Sequence, residues 1–472
     1  MNLLHLRRLL SMASCCLVGL VVPAARAAAP MPDDGSAAVA GVIVDPRDLT
    51  PLNEHTLVFN AFHPAWAQAL WAVDVRNGAI TRLSHTVPGF RAAFPSSLTR
   101  FDGKIFFTAN DGRSGLELWR CDGSAAGTEL VIDLWPGPEG SMPSALTEFA
   151  GTLYFIAQRE RGEFGLWQTA GDAASTRLVV ATEQLQSPAE LRVAGHKLFF
   201  TARDAANGRE LWVIDKPGAA PRRVRDIRPG AEDSLPEQLT AVGGELFFVA
   251  NDGAHGWELW RSDGTTEGTA MVKDIRPGTG ASRPGYLAAV GSTLFFAAND
   301  GVHGFEPWKS DGSDAGTSMI ADLRAGAATG SGTAYITAVD DVAYFAATDG
   351  RHGLELWRSD GTRGGTQMVA DLRAGGPSAL PTLLTRIGRT LYFSASADGS
   401  PPRPWASDGT ARGTHALDDP GSGDRLSFPS RFTAIGDRVA FVARDASQHD
   451  RLWLMDKSGT VRLVGVPLDK AP

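Results

Sequence analysis

Residues 258–269 read ELWRSDGTTEGT and place a glutamate, a tryptophan, an arginine, a serine and an aspartate within six positions. Side chains of these types carry out acid–base and nucleophilic catalysis in enzymes. The same pattern returns four more times, as ELWRCDGSAAGT, EPWKSDGSDAGT, ELWRSDGTRGGT and RPWASDGTARGT at residues 117–128, 306–317, 355–366 and 403–414. One catalytic site is not expected in every repeat, so we interpret the motif as structural.

The tryptophan of this motif recurs along almost the whole chain. Nine copies follow one another at intervals of 45 to 49 residues, at Trp71, Trp119, Trp167, Trp212, Trp260, Trp308, Trp357, Trp405 and Trp453. A period of this length is typical of repeat proteins in which each repeat is one supersecondary unit. The repeats fill residues 46–472, which we predict to be a single domain.

One repeat, residues 236–275, shows the local structure. It contains four strand-like runs, EQLTAV, ELFFVAN, WELWRSD and TAMVKDI, separated by Gly-Gly and Asp-Gly turns. Glycine accepts the positive φ that tight hairpin turns need. The repeat therefore predicts a four-stranded antiparallel meander.

The strand interiors predict how the repeats pack together. The run LFFVA at 246–250 is continuously apolar, and neighbouring Leu259 and Trp260 must point to opposite faces of their strand. Both sheet faces are therefore expected to be covered by neighbouring repeats, which predicts an all-β fold, a β-propeller of four-stranded antiparallel blades. We predict nine blades, with eight as the alternative, because the first repeat lacks an inner strand unless residues 41–45 supply it. An open β-solenoid is the alternative fold.

The N-terminus indicates export. Arg7 and Arg8, an apolar run and Ala25-Arg26-Ala27 follow the order of a secretory signal peptide, which predicts cleavage after residue 27 and a flexible segment at 28–45. No second apolar run is long enough to span a membrane. The formal net charge of −8 disfavours binding to nucleic acid or anionic membranes. After cleavage Cys121 is the remaining cysteine, which excludes an intramolecular disulfide.

The ELWxxDGT units resemble the bacterial repeat family that is named after this motif and found in exported and surface proteins. The resemblance covers residues 55–465, and the strand order within each unit is similar to that of TolB-type propellers. It implies a propeller fold and a periplasmic, secreted or cell-surface location. It implies no defined activity.

The individual motif residues have structural interpretations. Trp260 is expected to fill the space between blades rather than to form a sugar platform. Asp263 is expected to cap its turn, because a calcium site needs several oxygen ligands close together. Cys121 stands where other repeats have serine. Known catalytic and phosphate-binding motifs are absent, so we predict no catalytic residues, no metal and no cofactor.

Successive strands of a meander run in opposite directions. The turn between the second and third strands of each repeat, which we call its second turn, therefore lies at the same end of the propeller as the connections between repeats. This end gathers the candidate ligand-binding residues, which are Arg228, Arg276, Arg324, Arg373, His255, His303, His352 and Trp135. The arginines could hold an acidic glycan or an acidic protein segment. Alternatively, each arginine pairs with an aspartate of its own loop, namely Asp226, Asp274, Asp322 or Asp371. The histidines are interpreted as polar loop residues, because adjacent blades are too far apart to share one metal ion.

These observations favour an exported, non-enzymatic propeller that binds a glycan or protein partner. A hydrolase or lyase acting on extracellular polysaccharide, or a purely structural surface protein, are the alternatives. Departures from the repeat offer a second place to look for a site. Trp135 replaces one loop arginine, and Arg159 and Arg161 lie in the divergent turn of the next repeat.

Overall fold

The computed structural model describes residues 43–64, 66–84, 93–160, 162–180, 185–326, 329–417 and 426–464. These residues form 36 β-strands in nine four-stranded sheets, with no helix among them. No helix of the described chain could cross a membrane. The predicted signal peptide lies outside the described residues.

Each sheet is one propeller blade, and the strands are numbered in chain order. Blades one to three comprise β1 (Val44–Pro51), β2 (Thr56–His63), β3 (Ala67–Asp74), β4 (Ile80–Arg82); β5 (Ser96–Phe101), β6 (Lys104–Asn110), β7 (Leu116–Cys121), β8 (Glu129–Ile132); and β9 (Ser144–Phe149), β10 (Thr152–Glu160), β11 (Glu163–Thr169), β12 (Arg177–Leu178). Blades four to six comprise β13 (Gln186–Ala194), β14 (Lys197–Asp204), β15 (Gly208–Ile214), β16 (Arg222–Arg223); β17 (Glu237–Val242), β18 (Glu245–Asn251), β19 (Trp257–Ser262), β20 (Ala270–Lys273); and β21 (Gly285–Val290), β22 (Thr293–Asn299), β23 (Phe305–Ser310), β24 (Ser318–Met319). Blades seven to nine comprise β25 (Ala334–Val339), β26 (Val342–Ala347), β27 (Glu355–Ser359), β28 (Gln367–Ala370); β29 (Thr382–Ile387), β30 (Thr390–Ala395), β31 (Arg403–Ser407), β32 (His415–Ala416); and β33 (Ser427–Ile435), β34 (Arg438–Arg444), β35 (Asp450–Met455), β36 (Val461–Leu463).

Within each blade the four strands pair antiparallel in the order of the sequence. The fifth blade matches the predicted meander, with Phe248 opposite Trp260 and a turn at Gly243 and Gly244, whose φ angles are +59° and +92°. The prediction of four-stranded antiparallel blades is confirmed.

The first strand of each blade lies nearest the propeller axis. First strands of successive blades contact one another from β1 through β33, and β33 in turn contacts β1, so the blades close into a ring. No strand is exchanged at the closure, because every sheet consists of four consecutive strands. Side chains join the ends instead, and the guanidinium of Arg462 in blade nine donates to the carbonyl oxygen of Val75 in blade one at 2.7 Å.

The core is divided into layers between neighbouring blades. Trp260 belongs to a cluster with residues of blade four such as Leu211, whereas adjacent Leu259 packs with Phe296 of blade six. This placement confirms that each sheet is covered on both faces, and that the motif tryptophan fills the space between blades.

The structure resolves the number of blades as nine. The first blade has a complete inner strand, β1, but this strand runs from Val44 to Pro51 rather than over residues 41–45. Sequence reasoning placed it too early because VDPRDLTP lacks the apolar character expected of a strand. An inner strand faces the axis, where polar side chains are tolerated.

Candidate functional site

The second turn of each blade and the connections between blades lie at one end of the propeller, as predicted. Backbone hydrogen bonds tie them together: Asn251 N–H donates to the Ser234 carbonyl at 3.0 Å, and Arg283 N–H donates to the Trp257 carbonyl at 3.0 Å. We call this the connection end. It carries all of the predicted site residues.

The four loop arginines reach across the boundary between two blades. Each guanidinium lies against the second-turn glycine of the following blade. A Cβ atom added at Gly253 would lie 3.3 Å from Nε of Arg228, and one at Gly301 would lie 3.1 Å from Nε of Arg276. Arg324 and Arg373 take the same position over Gly350 and Gly399. The absence of a side chain at these turn positions makes room for the arginine.

None of the four arginines forms an ion pair with the aspartate of its own loop, although all eight residues are described. Arg228 pairs with Glu232, Arg324 donates to the Thr329 hydroxyl at 3.2 Å, and Arg373 donates to the Ser378 carbonyl at 3.3 Å. Among the described residues Arg276 has neither an ion pair nor a hydrogen bond, and it is exposed. The predicted alternative of arginine–aspartate locks is therefore not found.

The loop aspartates turn one carboxylate oxygen inward instead. Oδ1 of Asp226, Asp274 and Asp322 is buried and has no hydrogen-bond partner within the described chain. Oδ2 of Asp274 accepts the backbone N–H of Gly278 at 3.2 Å. The aspartates thus shape the loops while the arginines extend beyond them.

The arginine-bearing loops are fixed by a buried glutamate, the first residue of the ELW motif. Glu258 is fully buried and accepts the backbone N–H groups of Ile275 at 3.2 Å and Ser282 at 2.8 Å. Glu210 accepts the backbone N–H of Arg228 itself at 3.3 Å. Glu117, Glu306 and Glu355 hold the equivalent loops.

Sequence reasoning missed this role of the glutamate. The available signal was a serine or alanine 24 or 25 residues after each motif glutamate, at Ser141, Ser234, Ser282, Ser331 and Ala379. Burial raises the pKa of Glu210 and of Glu258 to about 7, although hydrogen bonds from the loop oppose the shift.

The three histidines each pair with an aspartate of the same turn. Nδ1 of His255 lies 2.7 Å from Oδ2 of Asp252, and the equivalent distances are 2.6 Å for His303 with Asp300 and 2.9 Å for His352 with Asp349. The hydrogen bond to Asp252 raises the pKa of His255, and the other two pairs act in the same way. The histidines are thereby biased towards the cationic form.

The structure does not bring the histidines of different blades together. Within the described ranges, no group of three histidine, cysteine or acidic side chains is arranged to hold a metal ion. Asp263 behaves as predicted for a turn residue, since its Oδ1 accepts the backbone N–H and the hydroxyl of Thr265, both at 2.7 Å. That carboxylate serves the third turn, at the opposite end of the propeller.

Trp135 occupies the place of a loop arginine between blades two and three. It is half-buried, and its backbone N–H donates to Oε1 of Glu117 at 3.3 Å. Arg159 is exposed at the end of β10, and Arg161 lies outside the described residues. The connection end therefore has a tryptophan in place of the loop arginine at this junction, and arginines at the junctions from blade four to blade eight.

A ring of nine equivalent positions lies where the chain enters the inner strands. All nine residues adopt left-handed backbone angles, with φ between +46° and +65°, and eight are followed by proline; they are Asp45, Phe94, Met142, Ser187, Leu235, Arg283, Gly332, Leu380 and Phe428. We call them the collar positions. A residue other than glycine pays about 1–2 kcal/mol for such angles. The same backbone strain is therefore present at eight collar positions and is avoided at the ninth, where the residue is Gly332.

Large apolar side chains occupy five collar positions and remain exposed. The exposed fractions are 55% for Phe94, 39% for Met142, 40% for Leu235, 54% for Leu380 and 45% for Phe428. Phe428 also stacks with the guanidinium of Arg444, 4.6 Å from the ring centre. Sequence reasoning missed the collar, whose signal was a proline at the same phase of eight repeats.

The connection end thus has two different sides. The apolar arc consists of Leu380, Phe428, Phe94 and Met142, from blades eight, nine, two and three. The collar residue of blade one, within this arc, is the exposed Asp45, and the fifth exposed apolar collar residue, Leu235, lies in blade five. The cationic arc consists of Arg228, Arg276, Arg324 and Arg373, at the junctions between blades four and eight, together with His255, His303 and His352. Order around the ring places the two arcs on opposite sides of the axis.

No known protein-family profile and no curated protein sequence matches this chain. Solved structures that match this chain include a puromycin hydrolase at 14% identity and a TM-score of 0.36, covering 75% of this chain and 59% of that one. A prolyl endopeptidase is 11% identical with a TM-score of 0.42, covering 80% and 55% of the two chains. The β-propeller domain of the Trilobed protease from Pyrococcus furiosus is 10% identical with a TM-score of 0.36, covering 69% and 98%. Similarity at this level carries no information about activity.

Proposed function

We propose that this protein is an exported, non-enzymatic β-propeller that binds an anionic partner, a glycan or a protein, at its connection end. The observation that carries the proposal is the arrangement of Arg228, Arg276, Arg324 and Arg373, which cross the blade boundaries without pairing with their loop aspartates. A planar guanidinium binds carboxylate or sulfate groups through two parallel hydrogen bonds. The signal-like N-terminus and the resemblance to exported repeat proteins support the location.

The rigid base of the arginine loops supports a binding role. Because Glu210 and Glu258 hold the loop backbone from beneath, a ligand need not order the loops when it binds. Pre-organisation of this kind lowers the entropic cost of association. The series of arginines, one at each of four successive blade boundaries, fits a ligand with several anionic groups.

A thermal-shift screen tests the proposal. The protein is heated with polygalacturonate, heparin, polyglutamate and a neutral glucan, and the double variant Arg276→Ala/Arg324→Ala is treated in parallel. A ligand at about 100 times its dissociation constant adds about 2.7 kcal/mol to the free energy of unfolding. We expect a shift with at least one anionic polymer, lost in the variant and absent with the neutral glucan.

A matched control removes the same charge from the other end. Arg363 and Arg389 are exposed in the third turn of blade seven and the first turn of blade eight. Their double alanine variant should respond to ligand as the unaltered protein does. Equal loss in both variants would show that only net charge matters, and the proposed site would then be wrong.

A further inference from the structure

The fold of the repeat does not require the large apolar side chains of the apolar arc at the connection end. Gly332 shows that a collar position works without a side chain, and a Cβ atom added there would meet the nearest side-chain atom only at 3.7 Å. At four positions the chain instead carries Leu380, Phe428, Phe94 and Met142, each exposed and each in a left-handed conformation that disfavours a side chain. Exposure and strain both count against these residues in an unbound protein.

We propose that the partner is a polypeptide segment that combines acidic residues with aromatic or aliphatic ones. Its carboxylates bind the cationic arc, and its apolar side chains pack on Leu380, Phe428, Phe94 and Met142. This inference rests on the proposed function and specifies the chemistry of the ligand. It assigns to the apolar arc a binding role in addition to that of the arginines.

The composition of the arc favours a polypeptide over a glycan. Met142 and Leu380 offer no hydrogen-bonding group and no flat aromatic face, so a sugar hydroxyl placed there would lose its bonds to water without replacement. An aliphatic or aromatic side chain placed there removes apolar surface from water on both partners. Charge complementarity with the cationic arc requires that the same segment be acidic.

The relative position of the arcs also fits a segment of chain. The arginines span the junctions from blade four to blade eight, and the residues of the apolar arc follow in blades eight, nine, two and three, with the exposed Asp45 between them in blade one. Leu380 in blade eight follows Arg373 by seven positions, so the two arcs are continuous at this blade. An extended peptide lying over the axis could therefore contact both.

Three probes test the inference on the unaltered protein: a random copolymer of glutamate and tyrosine, polyglutamate of similar length, and polygalacturonate. Their dissociation constants are compared by biolayer interferometry at one ionic strength. We expect the copolymer to bind about tenfold more tightly than polyglutamate, since one well-packed aromatic anchor contributes at least this much. Equal affinity of the copolymer and polyglutamate, or preference for polygalacturonate, overturns the inference while leaving the proposed function intact.

A triple glycine variant tests whether the apolar arc is responsible for the tighter binding of the copolymer. Met142→Gly/Leu380→Gly/Phe428→Gly removes three side chains at φ angles of +53°, +53° and +50°, which glycine adopts freely. We expect its melting temperature to be unchanged or higher, and its affinity for the copolymer to fall to that for polyglutamate. Val302→Ala is the matched control, because Val302 is exposed at the same end but outside the collar.

The two proposals fail in different ways. Copolymer binding that survives the triple glycine variant overturns the role of the apolar arc alone. Copolymer binding that survives Arg276→Ala/Arg324→Ala but not the glycine variant overturns the anionic site. No binding of any of the three polymers contradicts both.

Discussion

Glu258 and Ser282 lie 24 positions apart, and the buried carboxylate of the first accepts both the hydroxyl and the backbone N–H of the second, the latter at 2.8 Å. The bond joins the third strand of blade five to the connection that leads into blade six. Arg276 lies between the two anchored points of that connection, Ile275 and Ser282. The motif glutamate therefore determines the position of a candidate ligand-binding arginine without contacting its side chain.

Replacing Glu258 by alanine is expected to destabilise the protein more than any exposed substitution in the same blade. The change leaves the buried N–H groups of Ile275 and Ser282 without acceptors, at a cost of about 1–3 kcal/mol for each group. Urea denaturation measures the loss. Glu267→Ala, at an exposed position of the same blade, is the control and should be neutral.

The stability of the protein is expected to fall as the pH rises from about 4.5 to about 7. The pKa of Glu258 and Glu210 is about 7 in the folded protein and near 4.5 in the unfolded chain. Between these values the folded state holds a proton that the unfolded state has released, so raising the pH favours unfolding. Denaturation midpoints across this range measure the slope.

The variant Glu210→Gln/Glu258→Gln provides the control for that pH dependence. Glutamine keeps a hydrogen-bond acceptor but does not titrate, so the slope between pH 4.5 and 7 should become shallower by about 1 kcal/mol per pH unit for each of the two carboxyls. An unchanged slope would show that these carboxyls titrate normally in the folded state.

Two motif tryptophans should respond differently to replacement by phenylalanine. Nε1 of Trp212 donates to the Ala202 carbonyl at 3.1 Å, whereas Nε1 of Trp260 is buried without an acceptor among the described residues. Both substitutions remove the same volume from a space between blades, but only Trp212→Phe breaks a hydrogen bond. We expect it to cost about 1 kcal/mol more, as measured by thermal unfolding, and an equal or larger cost at Trp260 would contradict the assignment.

The thiol of Cys121 is expected to be inert until the protein unfolds. It is fully buried, and burial raises its pKa to about 11, so almost no thiolate forms near neutral pH. In residues 28–472, which lack Cys15 and Cys16, reaction with Ellman's reagent should become rapid only in denaturant. Fast reaction under native conditions would show that blade two opens locally.

Cys121→Ser is the matched variant for this site. In blade five Ser262 shares a hydrogen bond of 2.7 Å with the Thr269 hydroxyl and accepts the backbone N–H of Gly264 at 2.9 Å. Serine at 121 can form the same bonds with Thr128 and Gly123, so the variant should be as stable as the unaltered protein. A loss above about 2 kcal/mol would mean that the pocket around the sulfur is apolar.

Much of the fold could be predicted because the same pattern of strands and turns occurs in several repeats. The spacing of Trp260 and its equivalents gives the number of blades, and the Gly243-Gly244 and Asp-Gly turns give the strand boundaries. Opposite orientation of Leu259 and Trp260 is a property of any β-strand, and it was sufficient to predict packing on both faces. Where the repeat is weak, at Val44–Pro51, the prediction of the strand was misplaced.

The candidate site depended on contacts between residues far apart in sequence. Strand alternation assigned Arg276 to the connection end, but only the tertiary structure shows that it lies over Gly301 of the next blade rather than beside Asp274. Sequence reasoning did not predict the positive φ of collar residues such as Leu380 and Phe428, because it accompanies contacts between blades. The backbone N–H groups of these two residues donate to the carbonyl oxygens of Leu354 and Pro402 in the preceding blade. Sequence by itself determined the local periodicities, which are short-range properties of the backbone. The tertiary structure decided which charges and apolar groups lie together at the connection end, because that depends on how nine similar units close into a ring.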